Sequence, residues 1–353
     1  MTESRVGHRR LHSAIGWVFA VACLAWIFHD LSPTEVWRSM RGLRWVWVLP
    51  AVAADVLSYF CQGVRWSLIL RPLGAVRPLR ATQAIYAGLF TNELLPMRVG
   101  EVVRSYLVSR WTGAAIGRVV PSIAVERLFD GFWLTVAFGL AAMAVELPRQ
   151  LMRAADIMGV LVLAGAVMLA IVAWRRPAAV VKANEMAGGS GPAGRVVSGP
   201  QAVAPTASRS ILGRLRGLLS HFIDELRRTA RSPGFFPAAL VSSGVLIFQA
   251  LAFWLVMVAY GLPLSVWAGA IALLIVHLGT ALPNAPGNVG SYQFFCVVGL
   301  AIFGVGKTEA AGFSLVVFVL LTVPLWVIGF VALRTSGLSL GRVRREAGGW
   351  LKR

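Results

Sequence analysis

The sequence has few charged residues for its length. Of its 353 residues, 14% are Asp, Glu, Lys or Arg and 57% are hydrophobic, whereas a soluble domain is typically about a quarter charged. Several apolar runs are long enough for membrane-spanning helices, each of which needs about 20 residues. The composition excludes an ordinary soluble protein and predicts a polytopic membrane protein.

The apolar segments also lack the alternation of a membrane β-barrel. Barrel strands alternate apolar and polar residues over about 10 positions, whereas these segments are apolar on every side. The predicted fold class is an all-α polytopic integral membrane protein with about six full spans, two re-entrant or broken helix pairs and a possible internal repeat.

Catalytic and metal-binding motifs are scarce. The three cysteines, Cys23, Cys61 and Cys296, lie in apolar segments without CxxC or Cys/His spacing, so neither a disulfide framework nor a zinc site is expected. HExxH and Walker patterns are missing, and no Ser in a GxSxG context has a partner His at a plausible place. We therefore expect no metal, no cofactor and no enzymatic activity, with a membrane-embedded lipid transferase as a minor alternative.

The net charge of +19 comes from 34 basic and 15 acidic residues. The basic residues are scattered among the spans, which argues against a nucleic-acid partner and indicates cytoplasmic loops that fix orientation. Both termini are expected to be cytoplasmic, although Arg38, Arg41 and Arg44 would then lie on the outer side.

Composition divides the chain into four parts. An N-terminal membrane half (1–174) begins with an uncleaved span near 13–28 and contains a first re-entrant segment (81–111). A basic cytoplasmic linker (175–236) includes an amphipathic helix (210–228), which either docks on the protein or lies on lipid. The C-terminal membrane half (237–335) contains a second broken helix (266–305), and a basic cytoplasmic tail (336–353) follows.

The two broken segments share a short pattern, P-x-x-V-G, at 96–100 and 286–290. Broken helices at corresponding places in two halves are a pointer to the binding site of a transporter. The residues predicted to break the helices are Pro96, Gly100, Pro286, Gly287 and Gly290.

Ionisable residues recur inside the apolar segments of the first half. Each charge at a span centre costs about 2.5 to 3.5 kcal/mol on insertion scales, so these charges should be paired or functional. Glu126 and Asp130 are four residues apart and share a helix face, and Arg98, Glu101 and Arg104 recur every three residues. Two interpretations stay open: a salt-bridge network that fixes helix positions, or a site for a phosphate group, which suits arginine.

Three motifs in order resemble a known family. The run NELLPMRVGEVVRSYL (92–107), the run VERLFD (125–130) and PGNVG (286–290) are similar to the lysylphosphatidylglycerol synthase transmembrane, or flippase-like, family. The resemblance covers roughly 15–333, and Arg65 followed by Trp66 also fits it. Family members often carry Glu where this sequence has Gln293, and a second Gly where it has Asn288. The loss of a protonatable Glu weakens any proton-coupled mechanism taken from the family.

The resemblance implies a multi-pass protein of the bacterial cytoplasmic (inner) membrane. Its relatives include the membrane half of the enzyme that makes and flips lysylphosphatidylglycerol, whose transferase is a separate soluble domain that we expect to be absent here. The implied function is that of a lipid flippase-like transporter or lipid-handling protein. The alternative is a non-transporting membrane partner of a lipid biosynthesis enzyme, for example of hopanoids or polyprenyl lipids.

The predicted site is a mid-membrane polar groove for an anionic, phosphate-bearing head group. Membrane lipids and such an enzyme are the expected partners, and the oligomeric state is left open. The predicted head-group residues are Arg65, Arg98, Arg104, Arg127 and Asn92, and the predicted charge network comprises Glu101, Glu126, Asp130 and Asp55. His277 is either a core residue or part of the cavity lining.

Overall fold

The computed structural model describes residues 21–26, 34, 41–94, 99–174, 211–280 and 286–338. These ranges are helical and contain no strand. Pro96, Arg98, most of the predicted first span, residues 175–210 of the linker and the tail beyond residue 338 lie outside them.

The first half contains five helices: α1 (Trp45–Ile69), α2 (Pro78–Leu94), α3 (Gly100–Thr112), α4 (Ile116–Ala144) and α5 (Arg149–Trp174). Of these, α1, α4 and α5 are long and apolar enough to span a membrane. Helix α5 begins with eight residues, 149–156, that include two arginines and Asp156 and precede its apolar part.

An amphipathic helix, α6 (Ile211–Ala230), precedes the second half. The second half consists of α7 (Phe235–Tyr260), α8 (Val266–Thr280), α9 (Ser291–Ala301) and α10 (Lys307–Thr335). Helices α7 and α10 bring the candidate spans in the described ranges to five. The described helices are those of a multi-pass, all-α membrane protein.

Each half has the order span, broken helix pair, span, but the two halves run in opposite directions. At one end of the bundle, Gly234 before α7 lies against the Leu68 carbonyl of α1. At the other end, the Arg44 amide donates to the Ala259 carbonyl at 2.9 Å. Helices α2 and α3 therefore enter from the end where α1 finishes, and α8 and α9 enter from the opposite end.

The two broken pairs meet inside the bundle. Gly287 follows the break after α8, has φ +71°, and packs so close to Glu93 that an added Cβ would lie 3.1 Å from Glu93 Oε2. Helix α2 has 17 residues and α8 has 15, which correspond to about 25 and 22 Å. Both are shorter than the apolar core of about 30 Å, so the breaks fall within the membrane.

A glycine contact brings α2 and α3 together. A Cβ added to Gly88 would lie 2.7 Å from the Gly100 carbonyl oxygen, so the two backbones touch. The Asn92 Oδ1 atom accepts a hydrogen bond from the Gly100 amide at 2.7 Å. Asn92 thus caps the first turn of α3, where backbone N–H groups lack helical partners.

The C-terminal part of α6 docks on the ends of α4 and α5. Arg118 of α4 contacts Glu225 at 2.6 Å, and Arg227 Nε donates to the Val172 carbonyl at 2.8 Å. Arg231 Nε likewise donates to the Ala173 carbonyl at 2.7 Å. Over this stretch, the helix packs on the protein.

We expect Gly88→Ala to destabilise the fold. The new methyl group meets the backbone of α3, which cannot move as a side chain would, and overpacking of this kind costs about 1–3 kcal/mol. The measurement is the thermal unfolding midpoint of the detergent-purified protein.

The matched control is Gly139→Ala in α4, where an added Cβ meets nothing within 4 Å. This variant should unfold at or above the wild-type temperature, because alanine favours a helix over glycine. Equal midpoints for Gly88→Ala and Gly139→Ala would contradict the backbone contact.

Candidate functional site

A cavity of about 410 Å³ lies among α1, α2, α3, α4, α7 and α8. Its lining is unusually polar for the interior of a membrane bundle. The charged lining residues are Glu101, Arg104, Glu126, Arg127 and Asp130, and the uncharged polar ones are Tyr59, Gln62, Asn92, Ser242, Gln249, His277 and Thr280. The cavity therefore extends between the two broken helix pairs.

Glu126 is the centre of a buried ion-pair network. Arg65 Nη2 lies 2.7 Å from Glu126 Oε1, and Arg104 Nη1 lies 2.9 Å from Oε2. The side chains of Arg65 and Glu126 are 1% and 3% exposed. Removing one partner of such a pair leaves an uncompensated buried charge, which costs about 3–5 kcal/mol. The network therefore joins α1, α3 and α4.

The network continues toward the solvent-accessible side of the cavity. Asp130 accepts a hydrogen bond from Arg65, and Arg127 Nη1 lies 3.6 Å from its other oxygen. Arg127 Nη2 also contacts Glu101 Oε1 at 2.6 Å. In the part of the chain that the structure describes, the network holds three arginines and three carboxylates, so its formal charge is balanced.

Arg104 retains unused hydrogen-bonding capacity. Its Nε and Nη2 atoms are buried and have no hydrogen-bond partner among the described residues. The guanidinium carbon lies 4.9 Å from the centre of the Trp66 ring, and the Trp66 indole donates to Ser122 Oγ at 3.0 Å. The guanidinium is thus held in place beside the cavity with donors that suit an oxyanion.

The N-terminus of α3 faces the same cavity, because Gly100 and Glu101 belong to its lining. The helix dipole makes such an end favourable for anions, while the Gly100 amide is bonded to Asn92 Oδ1 and the Val102 and Val103 amides to the Val99 carbonyl. The Arg104 donors, with the dipole of α3 adding to their effect, therefore favour an anionic group at this place.

The structure places the predicted head-group residues in different environments. Arg104, Arg127 and Asn92 line the cavity, whereas Arg98 lies outside the described residues. Arg65 lies behind Glu126 and Asp130, and its side chain is 1% exposed. Its position favours holding these two carboxylates over contacting a ligand.

The residues of the predicted charge network fall into two groups. Glu101, Glu126 and Asp130 form the ion pairs described above. Asp55 makes no ion pair with these arginines within the described ranges and lies among tyrosines. The reason is distance along α1, because Asp55 and Arg65 are ten residues apart, or about 15 Å.

Sequence reasoning missed several uncharged polar residues of the cavity wall. Gln62 on α1 and Ser242 and Gln249 on α7 line the cavity, and all three lie in apolar spans. An uncharged polar side chain inside an apolar span indicates a functional site, but less strongly than a charged side chain does. His277, for which two interpretations were open, is a lining residue.

Comparisons with known proteins give three matches of similar strength. The chain is 24% identical to the protein named glycosyltransferase AglD of Haloferax volcanii over 306 residues, which are 83% of this chain and 49% of AglD. The chain thus spans about half the length of that relative. Two proteins of Methanothermobacter thermautotrophicus named UPF0104 membrane protein are each 22% identical, over 85% and 86% of this chain and 88% and 86% of theirs.

No solved structure matches the chain at a significant level. The family described as the lysylphosphatidylglycerol synthase TM region matches residues 13–329. Because this match covers both membrane halves and the segment between them, the chain belongs to the lysylphosphatidylglycerol synthase TM region family.

Proposed function

We propose that the protein is a flippase-like transporter or lipid-handling protein whose cavity binds the phosphate-bearing head group of a membrane lipid. The observation that carries this proposal is Arg104, a buried arginine at the cavity with unpaired Nε and Nη2 donors. The positive end of the α3 dipole lies at the same place.

The size of the cavity supports a head group as the ligand. Its volume of about 410 Å³ lies within the range of about 300–1,000 Å³ typical of small-molecule sites. A head group fits this space while the acyl chains stay among apolar helix surfaces. Many of these surfaces are exposed, for example Ile157, Leu161 and Met168 on α5.

The balanced charge of the network refines the expected ligand. Asp130 and Glu101 have side chains 36% and 30% exposed, so carboxylate oxygens remain accessible beside the arginines. A head group that carries both a phosphate and an amine would contact both kinds of group. A phosphate without an amine would leave this balanced network with a net negative charge within the described ranges.

The inverted order of the two halves supports movement of the lipid between leaflets. In transporters with inverted repeats, the site lies near mid-membrane between broken helices, and the halves rock around it. The cavity contacts both broken pairs, since Asn92 belongs to α2 and Thr280 to α8.

We further propose that the end of the bundle where α1 and α10 finish faces the cytoplasm of a bacterial inner membrane. Nine arginines and two acidic residues lie near this end: Arg71, Arg77, Arg80, Arg110, Arg118, Arg227, Arg228, Arg231, Arg334, Asp224 and Glu225. An excess of arginine marks cytoplasmic loops. The linker and both termini would then be cytoplasmic.

A second candidate function is suggested by the relative named glycosyltransferase AglD. The matched region is about half of that protein, so it is joined there to a further region of similar length. A membrane module that presents a lipid to a separate biosynthesis enzyme, without transporting it, would have the same cavity. The lipid would then bind without crossing the membrane.

We expect Arg104→Gln to reduce lipid binding and flipping by about tenfold or more, because a hydrogen bond to a charged group contributes about 1.5–3 kcal/mol. The first measurement is the lipid composition of the protein purified in native nanodiscs. The second is the rate at which a fluorescent phospholipid becomes accessible to a quencher in proteoliposomes.

Arg228→Gln is the matched control. Arg228 is an exposed arginine of α6 that lies outside the cavity lining, so its loss removes the same charge without touching the site. Selective lipid binding without flipping in the wild type would favour the presenting module. A lipid profile of Arg104→Gln identical to the wild type would place the head-group site elsewhere.

The orientation predicts opposite labelling of two single cysteines in a background that lacks Cys23, Cys61 and Cys296. Thr308→Cys at the start of α10 should react with a membrane-impermeant maleimide on intact spheroplasts, because this position is exposed at the less basic end. Arg228→Cys should react only after permeabilisation. The reverse labelling pattern would show that the protein has the opposite orientation in the membrane.

A further inference from the structure

A second polar group of residues lies deep in the bundle, apart from the charge network. Its carboxylate is Asp55 of α1, which is 5% exposed. Ten residues separate Asp55 from the start of α1 and fourteen from its end, or about 15 and 21 Å along the helix axis. Asp55 therefore lies near the middle of a membrane-spanning helix.

The Asp55 carboxylate has no ion pair and no side-chain hydrogen bond in the described part of the chain. Ser58 bonds to the backbone carbonyl of Asp55 and not to its carboxylate. An unpaired charge inside a membrane bundle is strongly unfavourable, so the group requires a compensating cation.

Tyrosines lie close to this carboxylate. Tyr59 follows Asp55 by four residues and shares its face of α1, and Tyr86 of α2 and Tyr292 of α9 lie within electrostatic range of Asp55. The Tyr59 and Tyr86 rings are 5.1 Å apart. Tyr86 is 4% exposed, and its hydroxyl is buried without a hydrogen-bond partner. The cluster therefore combines a buried phenol oxygen without a hydrogen-bond partner and a carboxylate without an ion pair in the described part of the chain.

The elements packed around Asp55 supply no compensating charge. Helices α7 and α9 contain no acidic or basic residue, and α10 carries its charged residues at its ends. On α2 the ionisable group nearest the tyrosines is Glu93, which adds negative charge next to Tyr59. On α9, Cys296 faces Tyr292. Arg65 is held by Glu126 and Asp130.

We propose that Asp55, with Tyr59, Tyr86 and Tyr292, forms a binding site for a small monovalent cation, either a sodium ion or a proton, at the contact between the two halves. A single positive charge neutralises the carboxylate, whereas a divalent ion would leave an excess charge in an apolar region. Carboxylate and phenol oxygens are hard ligands that suit a sodium ion, and the same carboxylate accepts a proton by forming an O–H bond. The site requires no lipid.

The test is the thermal unfolding midpoint of the full chain in nanodiscs. With choline as the balancing cation, raising sodium from about 1 to about 200 mM near pH 8 should raise the wild-type midpoint by about 2–5 °C if sodium binds the folded state. If the ligand is a proton, sodium should have no effect. The midpoint should then rise as the pH falls from about 8 to about 6, because the folded state holds a proton that the unfolded state releases.

In either case Asp55→Asn should abolish the response. This variant should also be at least as stable as the wild type without sodium near pH 8, because it removes an unpaired buried charge. Tyr86→Phe should shift the response to about tenfold higher cation concentration through the loss of one oxygen. Asp156→Asn, which removes an exposed carboxylate of α5, should respond like the wild type.

Identical responses of the wild type and Asp55→Asn to both sodium and pH would overturn the proposal, as would a wild type insensitive to both. Neither readout involves a lipid. A failure of the cation site is therefore distinguishable from a failure of the proposed lipid function.

Discussion

The site depends on the burial of Glu126 between two arginines. Because Arg65 and Arg104 approach it from α1 and α3, one carboxylate on α4 links three helices. In a medium of low dielectric constant, none of these charges can move away from the others without a large cost. The network therefore fixes one wall of the cavity, and it leaves Arg104 with two donors that have no hydrogen-bond partner among the described residues. Structural and ligand-binding interpretations of the charges are thus compatible, because different atoms serve each of them.

The cavity also requires the broken helices. Continuous helices would fill the bundle with side chains and leave no polar backbone in its interior, whereas a helix that ends at mid-membrane places its terminus there. The start of α3 belongs to the cavity lining, and the contact of Glu93 with Gly287 joins the two breaks. Small residues make this arrangement possible: Gly88 and Gly100 allow the α2 and α3 backbones to touch. The same bundle holds the buried Asp55 on α1, apart from the ion pairs of Glu126.

Much of the fold follows from local pattern. Apolar length predicts membrane-spanning helices, and the described ranges contain five helices that are long and apolar enough to span a membrane. The break between α8 and α9 lies within the second broken helix predicted at 266–305. Helix ends are harder to place, as α5 shows, because its polar first eight residues continue the helix without contributing to hydropathy. The docking of α6 was left undecided by its sequence, since an apolar helix face suits lipid and protein equally well.

The sequence by itself determined that the chain is a helical membrane protein of two halves with ionisable residues that need partners, because hydropathy and helical spacing are local properties. Only the tertiary structure decided which charges pair. In the sequence, Asp55, Arg65 and Arg104 are all ionisable residues of helical segments. In the structure, Asp55 lies among tyrosines, Arg65 is enclosed by carboxylates and Arg104 borders the cavity. Their surroundings are set by residues more than twenty positions away, on helices whose crossing depends on backbone contacts that no local pattern encodes.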